Sequence, residues 1–254
     1  MIIDAAGRDH RSLNEEIRKG GSDITINGCL GQRFIASGMG GTRILINGTP
    51  GNALGAYLDG AEIIVRGNAQ DAAGDTMNDG RIVIYGNAGD AAGYAMRGGE
   101  IYIRGNAGYR AGIHMKAYAD KLPVMVIGGS CGSFLGEYQA GGMIIVLGLD
   151  KDAPAAGQKV KQTAGRAPGH AAGNFCGTGM HGGRIYLRGD IKGLKLPKQV
   201  NCKKAGSEDM EVIRKYLEEF SRLFDIPYET ITSKEFHVLT PDSHTPYKQL
   251  YVQN

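Results

Sequence analysis

Residues 48–67 read GTPGNALGAYLDGAEIIVRG, residues 67–86 read GNAQDAAGDTMNDGRIVIYG, and residues 86–105 read GNAGDAAGYAMRGGEIYIRG. Taken by itself, the GNAGDAAG of the third line looks like a glycine-rich phosphate loop. Its neighbours decide otherwise. Gly48, Gly67, Gly86 and Gly105 recur every 19 residues, and so do Gly55, Gly74, Gly93 and Gly112. Each interval closes on a short β-type run and a glycine: ILING (44–48), IIVRG (63–67), IVIYG (82–86) and IYIRG (101–105). Looser copies stand at 24–28, 124–128, 144–148 and 185–189. A phosphate cradle needs a strand before it and a helix after it, whereas here another strand follows.

A repeat of about twenty residues built on one strand is the signature of a solenoid. Turns this frequent leave no room for the crossover helix of an ordinary parallel unit. The chain is therefore expected to coil, each turn resting on the last at about 4.8 Å. The fold class that follows is all-β, a right-handed parallel β-helix, the hand taken from the crossover rule. Residues 24–189 are expected to supply about seven or eight coils of roughly twenty residues each.

The register predicts which side chains meet. Ile44, Ile63, Ile82 and Ile101 form one interior column, and Ile46, Val65, Ile84 and Ile103 a second, because strand neighbours alternate faces. Leu58, Met77, Met96 and Met115 form a third, and Ala73, Ala92 and Ala111 suit a tight corner. Asn68, Asn87 and Asn106 are expected to bond side chain to side chain in a ladder. Leu45, Ile64, Val83, Tyr102, Ile145 and Tyr186 alternate with the interior positions and face outward, a stripe that needs a cover.

Outside the repeat, SLNEEIRKG (12–20) reads as a short helix within an N-terminal cap, residues 1–23, over the exposed edge. SEDMEVIRKYLEEFSRLF (207–224) reads as a helix with Ser207 as N-cap and one apolar face. The C-terminal part, 190–254, is thus expected to be this helix followed by an extended tail. Residues 116–123 and 150–176 interrupt the register and are expected to loop from the surface.

The chain has 254 residues, is 42% hydrophobic, and carries a net charge of +3 with 41 glycines. Acidic and basic residues are interleaved, which is no nucleic-acid footprint. No apolar run is long enough to span a membrane. The start, MIIDAAGRDH, has no signal-peptide design, and Cys29, Cys131, Cys176 and Cys202 are widely spaced. A cytoplasmic protein without disulfides or a structural zinc is expected.

Few residues offer chemistry. Asp71 and Asp90 occupy equivalent places on adjacent coils, where two carboxylates would pair in a β-helix hydrolase or lyase. The reading preferred is that each is a turn aspartate bonding its own backbone. His170, Cys176 and His181 are spaced H-x5-C-x4-H, which matches no standard zinc site. Glu62, Arg81 and Glu100 read as an exposed ion-pair ladder, and Arg66, Tyr85 and Arg104 as a cation–π ladder.

The run from Gly48 through Lys116, with GSFLGEYQAGGMIIVLG (132–148) and GTGMHGGRIYLRG (177–189), resembles the glycine-repeat (GXGXG) domain at the C-terminal end of the glutamate synthase large subunit. A related solenoid forms one subunit of formylmethanofuran dehydrogenase. Glutamate synthase passes the amide nitrogen of glutamine to 2-oxoglutarate and reduces the product to glutamate. In that family a glutaminase domain releases the ammonia, and a flavin barrel with an iron–sulfur cluster performs the reduction. Neither is seen in this sequence, so the resemblance implies a non-catalytic scaffold module. It implies no catalytic, cofactor-binding or metal residue in this chain. FMN and the iron–sulfur cluster are expected in partner subunits, one a glutaminase (amidotransferase) and the other an FMN/iron–sulfur chain. A homo-oligomer is a further expectation, with the outward Val83, Tyr102 and Tyr186, the 150–176 excursion and the tail from Ser233 to Asn254 as candidate contacts. The alternatives are the formylmethanofuran dehydrogenase-type solenoid, another amidotransferase-linked oxidoreductase, or the free-standing hydrolase using Asp71 and Asp90.

Overall fold

A computed structural model describes residues 1–151 and 170–243. Its centre is a parallel β-solenoid in which each coil contributes one strand to a single sheet. The strands are β1 (Ile2–Asp4), β2 (Asp23–Leu30), β3 (Arg43–Thr49), β4 (Asp59–Val65), β5 (Asp79–Ile84), β6 (Glu100–Ile103), β7 (Val124–Ile127), β8 (Ala140–Val146), β9 (Gly182–Arg188), β10 (Val200–Lys204) and β11 (Phe236–Pro241). Strands β1 to β9 follow in sequence order, and then β11 lies between β9 and β10.

The register is the one the repeat dictates. Ile44, Ile63, Ile82 and Ile101 are successive partners from β3 to β6, and all four are fully buried. The second aliphatic column, the methionine column and the corner alanines Ala73, Ala92 and Ala111 are likewise buried. The glycine pitch has two causes. At Gly74 the backbone has φ +74, and a Cβ there would strike the Ile101 side chain inside. At Gly67 it would strike the carbonyl oxygen of Gly48 on the previous coil. Stacked backbones leave no room for it.

Both ends of the stack are closed. Helix α1 (His10–Lys19) is capped by Asp9, whose side chain accepts from the amides of Arg11 and Ser12. It begins two residues before the expected segment, and its Leu13 and Ile17 enter the same interior cluster as Ile24 and Ile26. At the other end, β11 runs antiparallel to both β9 and β10. This corrects the expected extended tail: Phe236, Val238 and Leu239 are buried in the sheet. The part of the tail beyond Ser243, and 152–169 of the expected excursion, lie outside the described residues.

Helix α2 (Ser207–Phe224) forms where expected. Ser207 is its first turn rather than its cap. The cap residue is Gly206, whose amide donates to Asp209 Oδ2 at 3.1 Å. A short helix α3 (Tyr228–Thr232) separates α2 from β11. Ile213, Leu217, Phe220 and Phe224 form a second core with Val83, Tyr102, Ile145 and Tyr186. Most of the outward stripe therefore has its cover: Val83, Tyr102, Ile145 and Tyr186 are buried beneath the chain's own C-terminal elements, Ile64 packs half-buried at the edge of this core, and Leu45 stays half-exposed outside it. That corrects the candidacy of Val83, Tyr102 and Tyr186 as partner contacts: α2, α3 and β11 together span more of the stripe than one helix face.

Polar links hold the cover down. Arg81 joins Glu100 at 3.0 Å and Glu219 of α2 at 2.6 Å, so the expected surface ladder is partly a clasp. Tyr85 donates to the Leu223 carbonyl and packs edge-on against Phe224. The described geometry thus places Tyr85 against α2 rather than in a ladder with Arg66 and Arg104. Arg188, at the same strand position as those arginines, is buried and donates to the carbonyls of Leu147, Thr230 and Ile231 and to the Ser233 hydroxyl.

Candidate functional site

The corner that carries Asp71 and Asp90 is a run of short turns outside the sheet. Asp71 Oδ1 accepts from the amide of Asp90 at 2.9 Å, and Asp90 Oδ1 from the amide of Tyr109 at 2.8 Å. Asn52 Oδ1 stands in the same relation to the amide of Asp71, at 3.3 Å. Each acceptor reaches up one coil, not back to its own turn as expected, so the two aspartates form a structural ladder. The asparagines do the same. Asn68 Oδ1 accepts from the amide of Asn87, Asn87 Oδ1 from that of Asn106, and Asn106 Oδ1 from that of Ser130. Their bonds run from side chain to backbone, a correction to the expected side-chain ladder. The physical reason is that a coil rise of about 4.8 Å puts the next amide within reach of a short side chain.

His170, Cys176 and His181 do not converge. His170 Nδ1 lies 2.9 Å from the Asp190 carbonyl oxygen, His181 Nδ1 lies 3.3 Å from that of Gly179, and the Cys176 thiol donates to Gly173. Among the described residues no group of three His, Cys, Asp or Glu side chains is arranged to hold a metal. All four cysteines are free thiols. Burial pushes the Cys29 thiol up to about 11 and raises that of Cys176, so both stay protonated and unreactive near neutral pH. Among the described residues no helix is long and apolar enough to cross a membrane.

The corner also carries a feature that the glycine pitch does not reveal. A residue with positive φ opens it on every coil: Ala53, Ala72 and Ala91 in the middle, but Phe34 on the first coil and Arg110, Phe134 and Phe175 on the last three. Four residues on, Tyr57, Thr76, Ala95, His114 and Tyr138 also have positive φ. Phe134 stacks on Phe175 and His114 on Tyr138, with centroids 5.3 and 5.1 Å apart. The Arg110 guanidinium lies over Phe134 and pairs with Glu137 at 3.0 Å. The signal is present in the 19-residue register, but the lengthened coils after Lys116 and Asp150 hide which residues align.

The GXGXG motif family model matches residues 15–242, which span the solenoid. The chain belongs to the GXGXG family, to which the C-terminal domain of the large chain of glutamate synthase also belongs. The GXGXG chain is also 43% identical over 262 residues to uncharacterized protein MJ1350 of Methanocaldococcus jannaschii, a match covering 99% of this chain and 96% of that one. In this GXGXG solenoid the glycines of the motif serve the close stacking of coils described above.

Proposed function

We propose that this chain is the non-catalytic scaffold of a glutamate synthase-type enzyme, holding a glutaminase chain and an FMN/iron–sulfur chain in register. Membership of the GXGXG family is the observation that carries this reading. Two features support it. The relative from Methanocaldococcus is matched over 96% of its own length. The carboxylates best placed for catalysis, Asp71 and Asp90, each spend an oxygen on the backbone of the next coil. A stiff rod of stacked coils suits a part whose task is to fix distances between others.

The test is co-expression of the tagged chain with glutaminase and flavin/iron–sulfur partners. Both partners should co-purify, and glutamine-dependent glutamate formation should require all three. Failure to recover either partner, or stoichiometric flavin or iron in the isolated chain, would overturn the proposal.

A further inference from the structure

We propose that the cleft between the asparagine ladder and the end of α2 binds a free α-amino acid with an apolar side chain. The cleft has a volume of about 420 Å³, a size typical of small-molecule sites. It opens where a column of side chains is interrupted. Tyr85 and Arg104 hold the same strand position on successive coils, and on the next coil that position falls to Gly128.

The first observation is a set of donors with nothing to bond. A backbone N–H can only donate, so the bonds that Asn87 and Asn106 make to the coil above identify the bonded atom as Oδ1. Each Nδ2 is then the free end, and among the described residues it has no partner. The Arg104 guanidinium lines the same cleft. It too has no ion pair or hydrogen bond among the described residues. A guanidinium with two amide donors beside it suits a carboxylate.

The second observation is a carboxylate higher up the cleft. Ser130, 1% exposed, takes the place of asparagine on the next coil. Its hydroxyl donates to Asp150 at 2.7 Å. A carboxylate can accept about four hydrogen bonds, so this one orients Asp150 without filling it.

Charge decides the class of ligand. A simple anion suits Arg104 but meets Asp150, and a simple cation meets the reverse. A molecule carrying both charges satisfies both, with its carboxylate on Arg104 and the amides and its ammonium on Asp150. The remaining lining is glycine backbone, Leu149, Ile226 and Tyr85. That surface fits an aliphatic side chain and holds no group to match a third charge. The site goes beyond the scaffold reading, and it is measured on the isolated chain, so either can fail alone.

Isothermal titration of the full chain with L-leucine gives the test. Saturable one-to-one binding in the millimolar range or tighter is expected. L-Leucinamide lacks the carboxylate and 4-methylpentanoate lacks the ammonium, and each should bind at least about tenfold more weakly. In Arg104→Gln, L-leucine should fall to the level of L-leucinamide. In Asp150→Asn it should fall to that of 4-methylpentanoate. Both residues are exposed, so the two variants should melt like the parent. No saturable binding of L-leucine up to about 10 mM would overturn the proposal. So would equal affinity for the three compounds, variants that bind L-leucine like the parent, or tighter binding of L-aspartate or L-lysine than of L-leucine.

Discussion

Asp71 Oδ1 accepts a hydrogen bond from the amide of Asp90, the residue that takes its place on the next coil, at 2.9 Å. The bond needs an oxygen acceptor but no negative charge. Asp71→Asn should therefore melt like the parent, whereas Asp71→Ala should lose about 1 kcal/mol. Thermal unfolding of the two variants checks this. Equal losses would show that the charge, not the acceptor, matters.

Gln139 occupies the interior column otherwise lined by Met77, Met96, Met115 and Met180, all fully buried. Its amide nitrogen donates to the carbonyls of Gly141 and Gly142, but Oε1 has no partner. An unpaired buried acceptor is costly, and methionine has a similar length. Gln139→Met should raise the melting temperature, with a gain of about 1 kcal/mol. A lower melting temperature would mean that the two amide donations outweigh the orphaned oxygen.

Phe220 is the centre of the cover over the outward stripe. It is fully buried and packs at 4.7 Å on Phe224. Phe220→Ala should cost about 3–5 kcal/mol and loosen α2 from the sheet. Tyr102 reports on this. Burial first, and then the neighbouring Glu100, push its phenol far above the ordinary value of 10.0. Spectrophotometric titration of the variant should show one more tyrosine ionising in the ordinary range. An unchanged titration would mean that the cover is held without Phe220.

Glu219 on α2 joins Arg222 and Arg81, whose guanidinium groups hold its carboxyl below the ordinary value of 4.5. Its folded pKa is depressed, so the ionised form favours the folded state. That contribution is complete above 4.5 and is lost as pH falls through the lower folded value. The stability difference between the parent and Glu219→Gln should therefore shrink on acidification below that point. Melting curves from neutral to acid pH measure it. A difference that stays constant would show that the clasp adds nothing through charge.

The solenoid, its register and its interior were legible in the amino-acid sequence. A strict interval of 19 residues forces like onto like, so Ile63 has to meet Ile82. That logic is local and repetitive, which is why a single chain reveals it. The helices α1 and α2 were legible too, because apolar spacing and end signals are local. Where the period fails, folding in three dimensions sets the outcome. Whether α2, α3 and β11 fold back over Tyr102 and Tyr186 depends on contacts between distant residues, such as Arg81 with Glu219, 138 positions apart, which no repeat encodes. The role of Asp71 and Asp90 was likewise out of reach of their spacing. The interval puts them on adjacent coils, but an oxygen there can turn to a neighbouring carboxylate or to an amide, and the stacked backbone supplies the amide.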